Sequence, residues 1–343
     1  MKNFLLSFLT LLLLPLVCLA IRSDGHSFDV PSFRRNHHHS LNSPRNNVKY
    51  CLQDKYCGED ILNSWNFFAA PDPTHGMVDY QNKDNAVKKG LAYVQSDGAT
   101  VLAVDNTTWL APGANRASVR ISSPKTYSQG LFIADFWAMP YGCSVWPAWW
   151  TVGPDWPNGG EIDVLEGVHN SQTNQVTLHT SNGCSTDTNF KSSASGALTK
   201  PDCAAGTDNA GCAFIDSDSR SFGKGFNLQG GGVYAHLWDS EGIKVWFFSR
   251  SAIPKDIQDG EPKPYTENWG RPVALWRHGK SCDMTKHFYE HAMIIDTTLC
   301  GDWAGNTYKD AGCPGTCADA VKDPRNFDNA RWKINYIAVY QAA

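Results

Sequence analysis

The run Glu161-Ile162-Asp163-Val164-Leu165-Glu166 constrains the fold more than any other stretch of this 343-residue chain. On a flat strand, residues two apart share a face, so Glu161 and Asp163 point together while Glu166, five positions on, points away. A β-bulge adds one residue without advancing the alternation, and would return Glu166 to the face of the other two acids. Ile162 and the Val164-Leu165 pair would then turn towards a core. The spacing predicts a bulged strand with one acidic face and one apolar face, which requires a second layer behind it. Gly159-Gly160 and Gly167 bracket the run, and an indole-rich stretch, Trp146-Pro-Ala-Trp149-Trp150 and then Trp156, precedes it.

Crowding three carboxylates adds no stability, so the pattern points to chemistry. Like charges close together raise the pKa of at least one member, leaving a neutral carboxylic acid beside an ionised carboxylate. Cleavage of a glycosidic bond uses such a pair, one carboxylate attacking the anomeric carbon and the protonated partner serving the departing oxygen. Retaining enzymes hold the two groups roughly 5 Å apart. Three acids in six residues also occur on solvated strands. The indoles favour catalysis because sugars stack on such rings, although Trp is equally at home in a core.

The stretch from Trp146 to Gly167 resembles the active-site strand of glycoside hydrolase family 16, in particular its fungal secreted endo-β-1,3(4)-glucanases, or laminarinases. Further similar segments are Gly130-Leu-Phe-Ile-Ala-Asp135-Phe, Leu178-His179-Thr180, Gly230-Gly-Gly-Val-Tyr234-Ala, Val245-Trp-Phe-Phe248-Ser-Arg250 and Ile295-Asp-Thr-Thr-Leu-Cys300-Gly-Asp-Trp303-Ala-Gly, so the likeness covers about residues 50–341. It implies Glu161 as nucleophile, Glu166 as acid/base, and Asp163 as the group that tunes both. It sets His179 near the acid/base, where a satisfied half-buried histidine is the competing reading. It makes Trp149, Trp156 and Trp303 sugar platforms. Arg120 either hydrogen-bonds sugar hydroxyls or serves as a structural ion-pair partner. The longer Glu-x-Asp-x-x-Glu spacing is that of laminarinases and tilts the expectation towards β-1,3 specificity with tolerance of mixed linkages. Two segments depart from the family pattern: Ala138 stands where relatives often carry a polar residue, and His236-Leu237-Trp238 is atypical.

The N-terminus reads as a secretory signal over residues 1–20. Lys2 is followed by an apolar run from Phe4 to Ala20, and Cys18-Leu-Ala20 offers a small-residue cleavage site. Residues 21–48 are polar, carry Arg34-Arg35 and His37-His-His39, and read as a disordered leader; the dibasic pair is a candidate processing site. The chain has eleven cysteines. Removing Cys18 leaves ten, Cys51, Cys57, Cys143, Cys184, Cys203, Cys212, Cys282, Cys300, Cys313 and Cys317, enough for up to five disulfides in an exported protein. Their pairing is not fixed by sequence, with Cys51–Cys57 and Cys313–Cys317 as candidate local bridges. No second cysteine pair or histidine cluster matches Cys313-Pro-Gly-Thr-Cys317, so no metal site is expected there. Asn106-Thr107-Thr108 is an N-glycosylation acceptor. A net charge of −4 provides no basic surface for nucleic acid or anionic membranes.

Residues 49–343 read as one β-rich catalytic domain. Ala92–Val104 suggests a hairpin turning at Asp97-Gly98, and His236–Phe248 repeats the plan with a longer loop. Arg116–Ser122, Leu131–Trp137 and Arg331–Tyr340 alternate as strands, and Thr285–His291 as the only short helix. Many short strands with turn signals argue an all-β sandwich; the resemblance sharpens this to a concanavalin-like β-jelly roll with an open substrate groove. The expected activity is endo-acting, retaining hydrolysis of β-1,3 and mixed β-1,3/1,4-glucans by a monomer without a cofactor, a structural calcium ion being admitted by the resemblance. A transglycosylase using the same covalent intermediate is the runner-up, and a lectin-like glucan-binding protein the reading from another class.

Overall fold

The computed structural model describes residues 48–186, 188, 193–206 and 209–343. The expected export signal and all of the leader but Val48 lie outside them.

Two eight-stranded antiparallel sheets lie face to face. The first runs Ala274–Arg277, Gly242–Ser249, Gly232–Asp239, Gly130–Ala138, Arg331–Ala342, Thr100–Ala103 and Ala92–Val94, with Tyr50–Tyr56 added alongside Arg331–Ala342. The second runs Ala197–Lys200, Cys212–Ile215, Gln175–His179, Glu161–Glu166, Val145–Val152, His291–Leu299, Arg120–Tyr127 and Asn66–Phe67. The acid-bearing strand is therefore central, held on both sides. A parallel pair, Val78–Tyr80 with Arg116–Ser118, sits apart. The all-β sandwich and both hairpins match the expectation from sequence, except that the second hairpin closes in the two-residue turn Ser240-Glu241 and not in the longer loop.

Each sheet contributes alternate residues to the layer between them. Trp149, Ile162, Val164, Leu165, Leu178 and Ile295 from the second sheet meet Phe132, Phe136, Tyr234 and Trp332 from the first, all essentially inaccessible. Burial of a large apolar side chain contributes about 1.5–3 kcal/mol, and this layer supplies most of the driving force. A second apolar cluster covers the first sheet's other face, where Leu131, Ile133, Ala235 and Leu237 pack against Trp246, Ile257 and Trp269. With that sheet apolar on both sides, only the second has a face left for polar chemistry.

Two sequence readings change. The alternation in Arg331–Tyr340 switches phase at a register shift between Ile334 and Tyr336. Trp332 and Ile334 face the inter-sheet core, whereas Ala338 and Tyr340 belong to the other cluster. The short helix is Met284–His287, capped by the Asp283 side chain, and among the described residues five more α-helices of four to six residues occur at Glu59–Ser64, Lys83–Lys88, Gly223–Leu228, Lys255–Gln258 and Cys317–Lys322. One or two turns are too short to carry a hydrophobic period, and tertiary packing rather than propensity holds them. Among the described residues, no helix is long and apolar enough to cross a membrane.

Two disulfides join distant segments, Cys143–Cys313 and Cys184–Cys282, and two close shorter loops, Cys203–Cys212 and Cys300–Cys317. Neither local bridge forms. Cys313 and Cys317 each bond elsewhere, and Cys57 is bonded but not to Cys51, whose thiol is free and exposed. On a strand, residues six apart stand about 20 Å from one another, far beyond disulfide reach. Asn106 is exposed, with its amide donating to Asp328.

Candidate active site

The bulge is where the spacing demanded it. Asp163 pairs with Trp150 and Leu165 with Trp149, so Val164 is the extra residue, and Glu166 opposes Ala148. The opposite neighbour shows the same shift, with Glu161 facing His179, Asp163 facing Thr177 and Glu166 facing Gln175. A bulge leaves backbone groups without ladder partners. Buried Asn174 supplies them: its Oδ1 accepts the Glu166 amide at 2.8 Å and its Nδ2 donates to the Val164 carbonyl at 2.8 Å. All three acids thus share one face, while Ile162, Val164 and Leu165 are buried in the core.

The carboxyls are tightly linked. Glu161 hydrogen-bonds both Asp163 and the Trp156 indole, and Asp163 lies 3.3 Å from His179 Nε2. The Trp146 indole N–H donates to Glu166 at 2.8 Å. Burial, then the neighbouring Asp163 charge, pushes the Glu161 carboxyl up to about 8, against the opposing pull of His179 and Trp156. Burial likewise raises Asp163. Glu166 is driven well above the usual carboxylate range, by burial first and Asp163 second, while Trp146 and His179 favour its ionised form. Three acids at such separations cannot all ionise near neutral pH, so the set retains protons.

Strand alternation sorts the indoles. Trp146 and Trp150 occupy the same phase as the acids' partners and face them; Trp149 has the opposite phase, is fully buried, and meets Phe136 edge-on with centroids 5.7 Å apart. Trp149 is therefore a core residue and not a sugar platform. Trp156 stands 45% exposed beside Glu161, and half-buried Trp303 meets Trp146 edge-to-face at 5.7 Å. Arg120 lies on the acid face, committed to an ion pair: its guanidinium is 3.6 Å from Asp296 and sits over the rings of Phe68 and Trp150 at 4.8 and 5.0 Å. The structure favours the ion-pair alternative over sugar binding.

Sequence reasoning passed over Trp146, Trp150, Asn174 and Asp296. The two indoles could have been found, because the alternation that excludes Trp149 from the acid face includes them. Asn174 and Asp296 carried no local signal. Among the described residues, the grouping with metal-ligand proximity is Glu161, Asp163 and His179, whose ligand atoms lie within 4.8 Å of one another. Calcium takes six to eight oxygen ligands; two carboxylates already joined to each other and an imidazole do not fit it.

A model of the catalytic domain of family 16 enzymes of the XgeA-like type matches residues 65–340. The chain belongs to glycoside hydrolase family 16. A probable glycosidase of Schizosaccharomyces pombe is 43% identical over 297 residues, covering 85% of this chain and 69% of that protein. The endo-1,3(4)-β-glucanase XgeA of Emericella nidulans is 40% identical over 303 residues, covering 85% of this chain and 47% of its own. This chain thus spans less than half the length of that relative. Among solved structures, laminarinase 16A from Phanerochaete chrysosporium, with β-glucans in donor and acceptor sites, is 41% identical with a TM-score of 0.80, covering 85% of this chain and all of that one. An elongating family 16 β-1,3-glucosyltransferase scores 0.80 at 40% identity over the same shares. The family and the jelly-roll sandwich expected from sequence are borne out.

Proposed function

We propose that this chain is a secreted, endo-acting, retaining β-glucanase that hydrolyses β-1,3 and mixed β-1,3/1,4-glucans by double displacement. The observation that carries the reading is the bulge itself. It brings Glu161 and Glu166 to one face of a central strand, each held by a different indole, with Asp163 between them. The similarity to fungal endo-1,3(4)-β-glucanases and laminarinases supports the substrate class.

In the first step the Glu161 carboxylate attacks the anomeric carbon while Glu166 gives its proton to the departing glycosidic oxygen. Glu166 suits the acid role because burial keeps it protonated. Burial and Asp163 push the Glu161 carboxyl up to about 8, against the pull of His179 and Trp156, so Glu161 serves as nucleophile when Asp163 carries the proton. The proton shared by Glu161 and Asp163 resides on Asp163 in the reactive state, where it hydrogen-bonds the nucleophile. In the second step Glu166, now ionised, takes a proton from water, which attacks the same carbon and releases Glu161 with β configuration restored. Trp156 and Trp303 act as sugar platforms. No step calls on a cofactor, and the protein acts as a monomer. The disulfides and an exposed glycosylation acceptor at Asn106 support export.

Glu161→Ala and Glu166→Ala, assayed on laminarin and lichenan with and without azide, test the assignment. Loss of the nucleophile should cost several orders of magnitude, with azide rescuing through an α-glycosyl azide. Loss of the acid/base should yield the β-azide. Activity surviving in Glu161→Ala without azide would refute the roles. Elongated oligosaccharides accumulating with the wild type would favour transglycosylation, the activity of the 40%-identical glucosyltransferase.

A further inference from the structure

His169 sits three residues beyond Glu166, is 2% exposed, and takes a left-handed backbone with φ 60°. Few L-residues adopt that conformation without reason. Its backbone is tied at both ends, the amide donating to the Val145 carbonyl at 2.9 Å and the carbonyl accepting from Gly142 at 3.0 Å. The ring is tied as well. Nδ1 lies 3.1 Å from the Ser144 amide, and Nε2 lies 3.2 Å from Thr307 Oγ1, with the Ala304 carbonyl also in hydrogen-bond reach of the ring. Thr307 Oγ1 in turn donates to the Trp303 carbonyl at 2.8 Å.

The directions of these bonds follow from one group. A backbone amide can only donate, so Nδ1 must accept and carry no hydrogen. The neutral ring then bears its hydrogen on Nε2 and donates to Thr307, whose own hydrogen goes to Trp303. Burial depresses the ring's pKa and keeps this tautomer neutral. The result is a one-way relay from Ser144 through His169 and Thr307 to Trp303. Ser144 also holds the far segment directly, its carbonyl accepting the Cys300 amide at 2.8 Å.

The two bridged segments carry the indoles that meet at the acid. Trp146, two residues after Ser144, donates to Glu166; Trp303 packs against the Trp146 ring. We infer that His169 and Thr307 are positioning residues for the Glu166 carboxyl, acting through Trp146 and Trp303 without touching substrate. The inference rests on the reading of Glu166 as acid/base. The relay fixes the seating of Trp303 against Trp146, and so the angle at which the Trp146 N–H meets the carboxylate. That N–H favours the ionised form of Glu166, so a looser seat should raise the pKa of the acid as well as slow the reaction.

The variants are Thr307→Val, which keeps the shape and removes the hydroxyl; Thr307→Ser, which restores it; and His169→Asn, which tolerates the left-handed backbone and keeps an acceptor for Ser144 but cannot reach Thr307. Each is assayed on laminarin for kcat, KM, the pH profile of kcat/KM and the melting temperature. The expected result for Thr307→Val and His169→Asn is a kcat loss of about tenfold, the scale of a slightly misplaced catalytic group. Their alkaline limb should move to higher pH, and Thr307→Ser should recover both. A melting-temperature loss with the alkaline limb unmoved, or unchanged kinetics in Thr307→Val, would overturn the proposal. Failure of the underlying assignment reads differently: Glu166→Gln would then keep both its activity and that limb.

Discussion

His236 makes this protein acid-labile through a single ring. It lies in the inter-sheet layer, fully buried and stacked on Phe132 with centroids 5.0 Å apart, and neither ring nitrogen has a hydrogen-bond partner among the described residues. Burial, reinforced by the nearby His291, pushes its pKa down to about 3. The unfolded chain takes up this proton below about pH 6.5, whereas the folded protein refuses it until about pH 3. Between those limits the unfolded state binds more protons, so stability falls as pH falls. At pH 4.5 the two intervening pH units, at about 1.36 kcal/mol each, amount to about 2.7 kcal/mol. For a domain of this size that corresponds to a melting temperature lower by about 4 °C. His236→Phe removes the titration and keeps the stack. Thermal and urea unfolding of wild type and variant near pH 7.5 and pH 4.5 isolates the term. His291, held down at about 4, and the raised active-site acids, whose contribution fades as pH rises, are common to both proteins and cancel. The variant should gain about 2–3 kcal/mol on the wild type as pH drops. Should Phe overfill the site, His236→Leu gives the same comparison, because the pH slope decides and not the absolute stability. A wild type and variant that lose stability in parallel from pH 7.5 to 4.5 would refute the reasoning.

Trp149→Ala should cost about 3–5 kcal/mol by opening a core cavity, and Trp149→Phe should leave KM for laminarin unchanged. Trp156→Ala should raise KM with little change in melting temperature, and the reverse pattern would exchange their roles. Arg120→Met should destabilise by stranding buried Asp296, by about 1.4 kcal/mol at pH 8, one pH unit above that carboxyl's pKa. Burial already pushes that carboxyl up to about 7, so it escapes the penalty by protonating; urea unfolding should show a smaller loss at pH 5 than at pH 8. Replacing Cys184 and Cys282 by Ser together should cost about 2–5 kcal/mol, because the bridge closes a separation of 98 residues. Cys51→Ser should leave the melting temperature unchanged.

What could be read in the chain was local. The offsets of Glu161, Asp163 and Glu166 dictated a bulge, because period-two alternation admits no other way for three acids to share a face. The Asp97-Gly98 turn and the Asp239–Gly242 loop marked two hairpins, and the density of short alternating segments marked a sandwich. The site was legible in part: the acids, His179 and Trp156 lie beside one another, and Trp303 reaches them only through Trp146. Where sequence reasoning erred on Trp149, it applied the alternation to the acids and not to the strand beside them.

The remainder was decided by pairing between segments far apart in the chain. Asn174 caps the bulge only because the next strand returns antiparallel. Arg120 meets Asp296 across a ladder between strands some 170 residues apart, which no local pattern encodes. The cysteines follow the same rule, since a disulfide needs facing Cβ atoms and a strand carries Cys51 and Cys57 away from each other. His169 gave no sign in the sequence, because its role lies in two hydrogen bonds to segments that only the closed sandwich brings to it. Sequence determined which faces the acids and apolar residues must take; register and layer packing decided which neighbours tune them.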